Sequence, residues 1–228
     1  MRASIAGITT AVLVLAPTAA FGADIARWEM NESAGASVMQ DSSGNYIDGR
    51  IVQPNDDITI GGGVYTWDRK GPNQLPVEPE RIITVPDDDR LDVTDPAVTY
   101  TLEFRYKTTE NFGNIIQKGQ STAAGGQIKV QQPQGRPSCL FKGALNRVTA
   151  RTPTPINDGQ FHTVRCVREQ NRVRIYVDGV LKQTNNGSTG VINNKVAYTI
   201  GGKSNCDQVA TTCDYFTGTI DYVKVSKG

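Results

Sequence analysis

Few residues of this 228-residue chain have the types and spacing to do chemistry. The single histidine, His162, would have to serve any Ser-His-Asp triad, and no G-x-S-x-G elbow supplies the serine. Four dispersed cysteines with one histidine form no C-x-x-C pair, so the spacing of a zinc site is missing. Retaining glycoside hydrolysis needs two carboxyl groups about 5 Å apart on one face. Glu78 and Glu80 of "VEPE" sit in a proline-bearing loop, and the strand-like "TLEFRYK" carries only Glu103. The glycines of "GGG" at 61–63 precede the strand-like "VYTWD", whereas phosphate-binding glycine loops open a helix. One carboxylate stands out by its setting: Asp221, between Thr219-Ile220 and Tyr222-Val223, in what reads as a closing strand. Asp is depleted from strands and a buried, unpaired carboxylate is costly, so Asp221 needs a partner.

The elements that must position these groups read as strands. Apolar and polar residues alternate in "TYTLEFRYK", with Tyr100, Leu102, Phe104 and Tyr106 on one face, and again in "RVRIYVDG" with Val173, Ile175 and Val177. Turn chemistry recurs at short intervals, as in "SSGN" at 42–45, "NDG" at 157–159, "VDG" at 177–179, "NNG" at 185–187 and "GG" at 201–202. No segment carries a long 3.6-residue apolar period. Many short strands joined by such turns predict an all-β antiparallel sandwich or jelly roll.

Residues 1–22 have the three parts of a secretory signal: Arg2, a short apolar run from Ala11 to Leu15, and Ala20-Phe21-Gly22 as a cleavage site. Residues 23–228 are then expected to form one secreted domain, with no stretch long enough for a transmembrane helix. Four cysteines in an exported chain imply two disulfides and allow three pairings. Cys206 and Cys213 are near neighbours in a loop, which leaves Cys139 with Cys166, expected on adjacent strands "SCLFKG" and "HTVRCVR".

Several segments in order carry a resemblance. "DGQFHTVRCVREQNRVRIYVDGVLKQT", "YTIGGK" and "YFTGTIDYVKV" resemble the second half of a laminin G-like domain of the concanavalin A-like lectin/glucanase superfamily. "ARWEMNESAGASVMQDSSGNYIDGRIV" is similar to the opening of its secreted bacterial members, and "ITVPDDDRLDV" before "VTYTLEFRYK" also fits. The resemblance implies a concanavalin A-like jelly roll over nearly the whole mature chain. It implies that His162, right after the strand anchor Phe161, is structural, and that Trp28 is buried in the first strand. The Glu-x-Asp-x-x-Glu strand of the superfamily's glucanases does not occur. The resemblance also implies a structural calcium ion: Asp221 is placed like a calcium ligand, and the loop "QDSSGNYIDG" would bring Asp41 and Asn45 to meet it, a hard-oxygen set that calcium prefers. The competing reading caps the 41–45 turn with Asp41 and pairs Asp221 with a basic neighbour such as Lys224.

Charge gives the remaining signal. Lys and Arg number 6 against 15 Asp and Glu over residues 24–98, but 13 against 5 over residues 99–182. Arg105, Lys107, Lys129, Lys142, Arg165, Arg172 and Arg174 could line one outer surface and bind an anion, or form a solvated, self-compensating face. Nucleic acid suits the pattern poorly, because the total charge is near neutral and the aromatics lie on core faces. The expected ligand is a polysaccharide or other glycan, with an acidic one favoured and Trp67 as a surface aromatic for sugar stacking. A carbohydrate-binding, lectin-like and non-catalytic domain is the leading reading. The alternatives are a polysaccharide lyase built from Tyr106, His162, Arg105 and Lys129, or a protein-interaction and adhesion domain.

Overall fold

The computed structural model describes residues 22–53, 57–68, 81–203 and 214–228. The expected signal segment, up to residue 21, and the expected Cys206–Cys213 bond lie outside the described residues. In chain order the strands are β1 (Ala23–Trp28), β2 (Val38–Met39), β3 (Gly49–Val52), β4 (Ile58–Gly61), β5 (Val64–Trp67), β6 (Ile82–Val85), β7 (Tyr100–Lys107) and β8 (Asn114–Lys118). They continue with β9 (Gln127–Gln131), β10 (Ser138–Lys142), β11 (Arg147–Arg151), β12 (His162–Glu169), β13 (Arg172–Val177), β14 (Val180–Asn186), β15 (Tyr198–Ile200) and β16 (Gly218–Lys227). Helical structure among the described residues is limited to two short turns, Asp89–Leu91 and Pro133–Gly135.

Two antiparallel sheets result. Sheet A runs β14-β13-β12-β7-β16-β5-β4, with β1 also paired to β16, and sheet B runs β11-β10-β9-β8-β15-β6-β3-β2. Their facing sides enclose one apolar interior, as the alternation in the sequence requires. Tyr100, Leu102, Phe104 and Tyr106 of β7 and Val173, Ile175 and Val177 of β13 are all buried there. From sheet B come Ile128 and Val130, Phe141, Val148 and Ala150, and Tyr198 and Ile200. Asp178 and Gly179 both take positive φ, 51° and 79°, which gives the β13–β14 hairpin the primed turn that "VDG" predicts.

Cys139 and Cys166 are bonded, with Cα atoms 5.7 Å apart. They are not on neighbouring strands, however: β10 belongs to sheet B and β12 to sheet A, so the bond crosses the interior and staples sheet to sheet. Both residues occupy inward positions of their strands, and with β10 and β12 in different sheets the bond spans the interior between them.

Trp67 differs from its expectation too. It is 1% exposed, packs edge-on against Phe216, and donates its indole N–H to the Arg81 carbonyl at 2.9 Å. The "GG" turn makes the space for it: a Cβ on Gly201, where φ is 89°, would stand 2.3 Å from the indole nitrogen. Trp28 is buried as expected, with its own N–H on the Ile47 carbonyl at 2.8 Å.

Replacing Cys139 and Cys166 together by alanine is expected to lower stability by about 3–4 kcal/mol, from the loss of a loop constraint of this length. Urea unfolding of wild type and variant measures it, and non-reducing peptide mapping of the wild type should recover the two residues in one linked fragment.

Candidate functional site

Asp221 is accommodated by a break in strand register. Ile220 pairs with Tyr106 and Tyr222 with Arg105, so Asp221 is the extra residue of a β-bulge, which re-aims its side chain. The bulge falls where the free edge of β16 passes from β5 to β1. There the carboxylate forms an ion pair with the Arg105 guanidinium.

The Asp41 carboxylate has local partners as well. Oδ1 accepts the amides of Arg27 and Ser43, both at 2.9 Å, and Oδ2 accepts the Ile47 amide at 3.0 Å and the Ser43 hydroxyl at 2.8 Å. Burial pushes this carboxyl up, but the amides of Ile47, Arg27 and Ser43 hold it below the usual carboxylate range. Asn45 donates its side-chain amide to the carbonyls of Asp24 and Ile25 at 3.2 and 3.0 Å. Asp41, Asn45 and Asp221 therefore do not fit a shared calcium ion as they stand: Asp41 closes its own loop onto β1, and Asp221 faces a cation of the chain. The partner is Arg105 rather than Lys224.

The basic residues divide between the two outer faces. Arg105, Lys107, Arg165, Arg172 and Arg174 are on sheet A, while Lys129 and Lys142 are on sheet B. The sheet A face compensates its own charge. Arg172 and Arg174 pair with Glu169, Lys224 approaches Glu103 to 3.7 Å and Arg165 to 4.0 Å. Aromatic rings cover the same cations: Arg105 and Lys107 sit over Phe161, and Arg165 and Arg174 over Tyr176. The residues of the lyase alternative are scattered. Tyr106 is buried and donates to Gln132 at 2.5 Å, His162 is held between Asp178 and Asp158, and Lys129 is on the opposite sheet.

Sheet B carries a different surface. A polar cleft of about 170 Å³ opens on its outer side, lined chiefly by Gln117, Gln127, Lys129, Gln131, Arg147 and Lys203. Its floor is a cross-strand row in which Lys129 of β9 lies between Leu140 of β10 and Gln117 of β8. Gln127 and Gln131 flank Lys129 at i−2 and i+2, on the same face. These groups are well buried for an outer face: Gln117 is 3% exposed, Gln127 6% and Lys203 4%. The Asp214 carboxylate stands behind two of the cations, 2.6 Å from Lys203 Nζ and 3.9 Å from Lys129 Nζ. Lys142, one row along, pairs with Gln127 and Arg147 and donates Nζ to the Ser121 carbonyl at 2.5 Å at the cleft rim.

Of the residues expected to bind ligand, only Lys129 lines the cleft and Lys142 borders it; Arg105, Lys107 and Arg165 are on the other face, and Trp67 is in the core. The glutamines were missed, although "QIKVQ" alternates amide and ammonium with Ile128 and Val130 and so presents one polar face.

Comparison with known proteins agrees with this architecture. The family model described as the concanavalin A-like lectin/glucanases superfamily, of laminin G type, matches residues 81–228. The chain belongs to this family. Among solved structures it is similar to domain 4 of AbnA, an extracellular arabinanase from Geobacillus stearothermophilus, in complex with arabinotriose: TM-score 0.59, 18% identity, covering 91% of this chain and 94% of that one. It is also similar to the ligand binding domain of botulinum neurotoxin serotype D in complex with N-acetylneuraminic acid, at TM-score 0.58 and 12% identity over 90% of this chain and 47% of that one. Mouse laminin alpha1 domains LG4-5 give TM-score 0.54 at 14% identity, over 77% and 46% of the two chains. The chain thus spans about half the length of the laminin and neurotoxin structures. No curated protein sequence matches it.

Two measurements follow from these contacts. Thermal unfolding with calcium and with chelator should give the same Tm, while Asp41→Ala lowers stability by about 2 kcal/mol in both, through buried amides left without an acceptor. For His162, burial lowers the pKa but Asp178 at 2.7 Å and Asp158 at 3.2 Å outweigh it, so the net shift is upward. Its stabilising contribution is then complete below the unfolded value of about 6.5 and is lost as pH rises through the higher folded value. His162→Gln should flatten the pH dependence of stability in that window, read from urea midpoints across pH 5–9.

Proposed function

We propose that this chain is a secreted, non-catalytic carbohydrate-binding domain that holds an acidic glycan against the outer face of sheet B. The observation that carries the reading is the cleft itself: an outer sheet surface built of nearly buried amides and ammonium groups around one apolar side chain, Leu140. Amides donate and accept at once, which matches sugar hydroxyls, and an apolar side chain suits the C–H face of a pyranose. Among the described residues, the lining has three cations and no carboxylate, which favours a negatively charged sugar. Domain 4 of the arabinanase and the neurotoxin domain, each solved with a sugar bound, support the class of ligand. The cross-sheet disulfide supports an extracellular site of action. Binding without turnover is supported by the position of His162 and Tyr106, on sheet A and away from the cleft.

A glycan array probed with the purified chain tests this. Acidic oligosaccharides should be retained, retention should weaken sharply as salt rises, and Gln117→Ala should weaken binding about tenfold through the lost hydrogen bonds. Retention of protein partners but of no glycan would favour adhesion instead, and unsaturated uronate absorbance on alginate would favour a lyase.

A further inference from the structure

We infer that the cleft on sheet B recognises the acetamido group of an N-acetylated sugar, with Gln117 donating to the amide carbonyl and Gln127 accepting the amide N–H. The inference rests on the carbohydrate reading above and adds to it the substituent that is read and the residues that set specificity.

Its basis is the fixed polarity of two nearly buried amides. Asn114, fully buried, donates Nδ2 to the Gly202 carbonyl and to Gln117 Oε1, both at 3.0 Å. A carbonyl can only accept, so Gly202 fixes which end of Asn114 faces it, and Asn114 in turn fixes which end of Gln117 faces Asn114. The Gln117 oxygen is thereby engaged. Its Nε2 makes no hydrogen bond among the described residues and is left to the cleft that the side chain lines. Gln127 is turned the other way: its Nε2 faces the Gly119 carbonyl at 3.4 Å, which leaves Oε1 to the cleft. At 3% and 6% exposure neither residue is freely hydrated, so a ligand that completes their hydrogen bonds recovers a desolvation cost.

The two amides are close enough to act on one group. Gln117 is opposite Lys129 on the antiparallel β8–β9 pair, and Gln127 precedes Lys129 by two residues, so the glutamines are diagonal neighbours, about 7–8 Å apart and within reach of long side chains. The cleft thus offers a donor from one side and an acceptor from the other. A hydroxyl rotates to suit either partner and gains little from fixed polarity. A secondary amide is planar, with its acceptor and its donor held on opposite sides, and matches the pair in a single orientation. Leu140, across Lys129 on β10, offers apolar surface to the acetyl methyl. The volume, about 170 Å³, is below the roughly 300–1,000 Å³ of sites for larger small-molecule ligands, so one sugar unit is read at a time.

The test measures affinities by calorimetry for pairs of ligands matched in charge, one with acetamido groups and one without. The pairs are hyaluronan or chondroitin against alginate or galacturonate oligosaccharides of equal carboxylate number, and chitotetraose against cellotetraose. The proteins are wild type and Gln117→Met, which removes both polar atoms at similar size; should that variant fail to fold by near-UV circular dichroism, Gln117→Glu keeps an oxygen for Asn114 and removes the amide donor. The expected result is at least one acetamido ligand bound about tenfold tighter than its counterpart, with the ratio brought close to one by the substitution. Because the two ligands of a pair carry equal charge and are compared on the same protein, neither an altered protein charge nor a loss of stability moves the ratio. Ratios of one or below in every pair of the wild type, with binding present, would overturn the acetamido inference and leave carbohydrate binding standing. A tenfold ratio unchanged by the substitution would overturn the role of Gln117. Absence of binding to every oligosaccharide would overturn the carbohydrate reading and this inference with it.

Discussion

The structure depends on one constraint: two twisted sheets share a single dry interior, and every strand must give that interior alternate residues. With a period of two, fixing the inward set fixes the outward set. Once Ile128 and Val130 are inside, Gln127, Lys129 and Gln131 have no position except the outer face. The Cys139–Cys166 bond holds the two sheets at the point where inward positions of β10 and β12 meet. The outer surfaces are in this sense by-products of the core, and their chemistry is what selection could vary without disturbing it.

Charged groups that do enter the interior are surrounded by fixed partners. Lys118 occupies an inward position of β8 opposite Ile128 and Tyr198 and is fully buried. Its ammonium donates to Asp87 at 2.7 Å and to the Asn194 carbonyl at 2.6 Å, with Asp92 Oδ1 at 3.0 Å. The Asp92 carboxyl is pushed up by burial against the downward pull of Lys118. Arg168, also buried, donates to the carbonyls of Pro96, Val98 and Gly190 and to the Thr189 hydroxyl. Each side chain fastens two distant loops near the end of its strand. Removing either partner of such a pair would leave a buried charge without compensation, so the rim of the sandwich is tied to its core.

The two outer faces show how similar composition can produce opposite surfaces. On sheet A, cations alternate with Glu103, Glu169 and Asp221 across strands and stack on Phe161 and Tyr176, so little field is left to act on a ligand. On sheet B, amides stand beside the lysines of the cleft, and Asp214 is close to both Lys203 and Lys129. Of the acidic N-terminal third, Asp87, Asp89 and Asp92 are engaged with Lys118 and Lys195. Among the described residues, the charge segregation seen along the sequence is thus largely cancelled in space.

By itself the sequence determined the fold class, the dry faces of β7 and β13, the hairpin at Asp178-Gly179 and the burial of Trp28. All of these follow from local alternation, turn stereochemistry or ordered family segments, which act over a few residues at a time. The partner of Cys139 was legible too, but its position across the interior was not, because pairing does not say which sheet a strand joins. Asp221 needed a partner by its chemistry, yet only the bulge in β16, set by strands more than a hundred residues apart, directed it to Arg105. Trp67 was misplaced because its slot is created by Gly201, distant in the chain. The cleft belongs to the same class: "QIKVQ" announces a polar face, but Gln117, Leu140, Arg147 and Lys203 join it through strand order and loop closure. Sequence fixes the direction of a side chain relative to its own strand, while the identity of its neighbours is a property of sheet topology, which the tertiary structure alone decides.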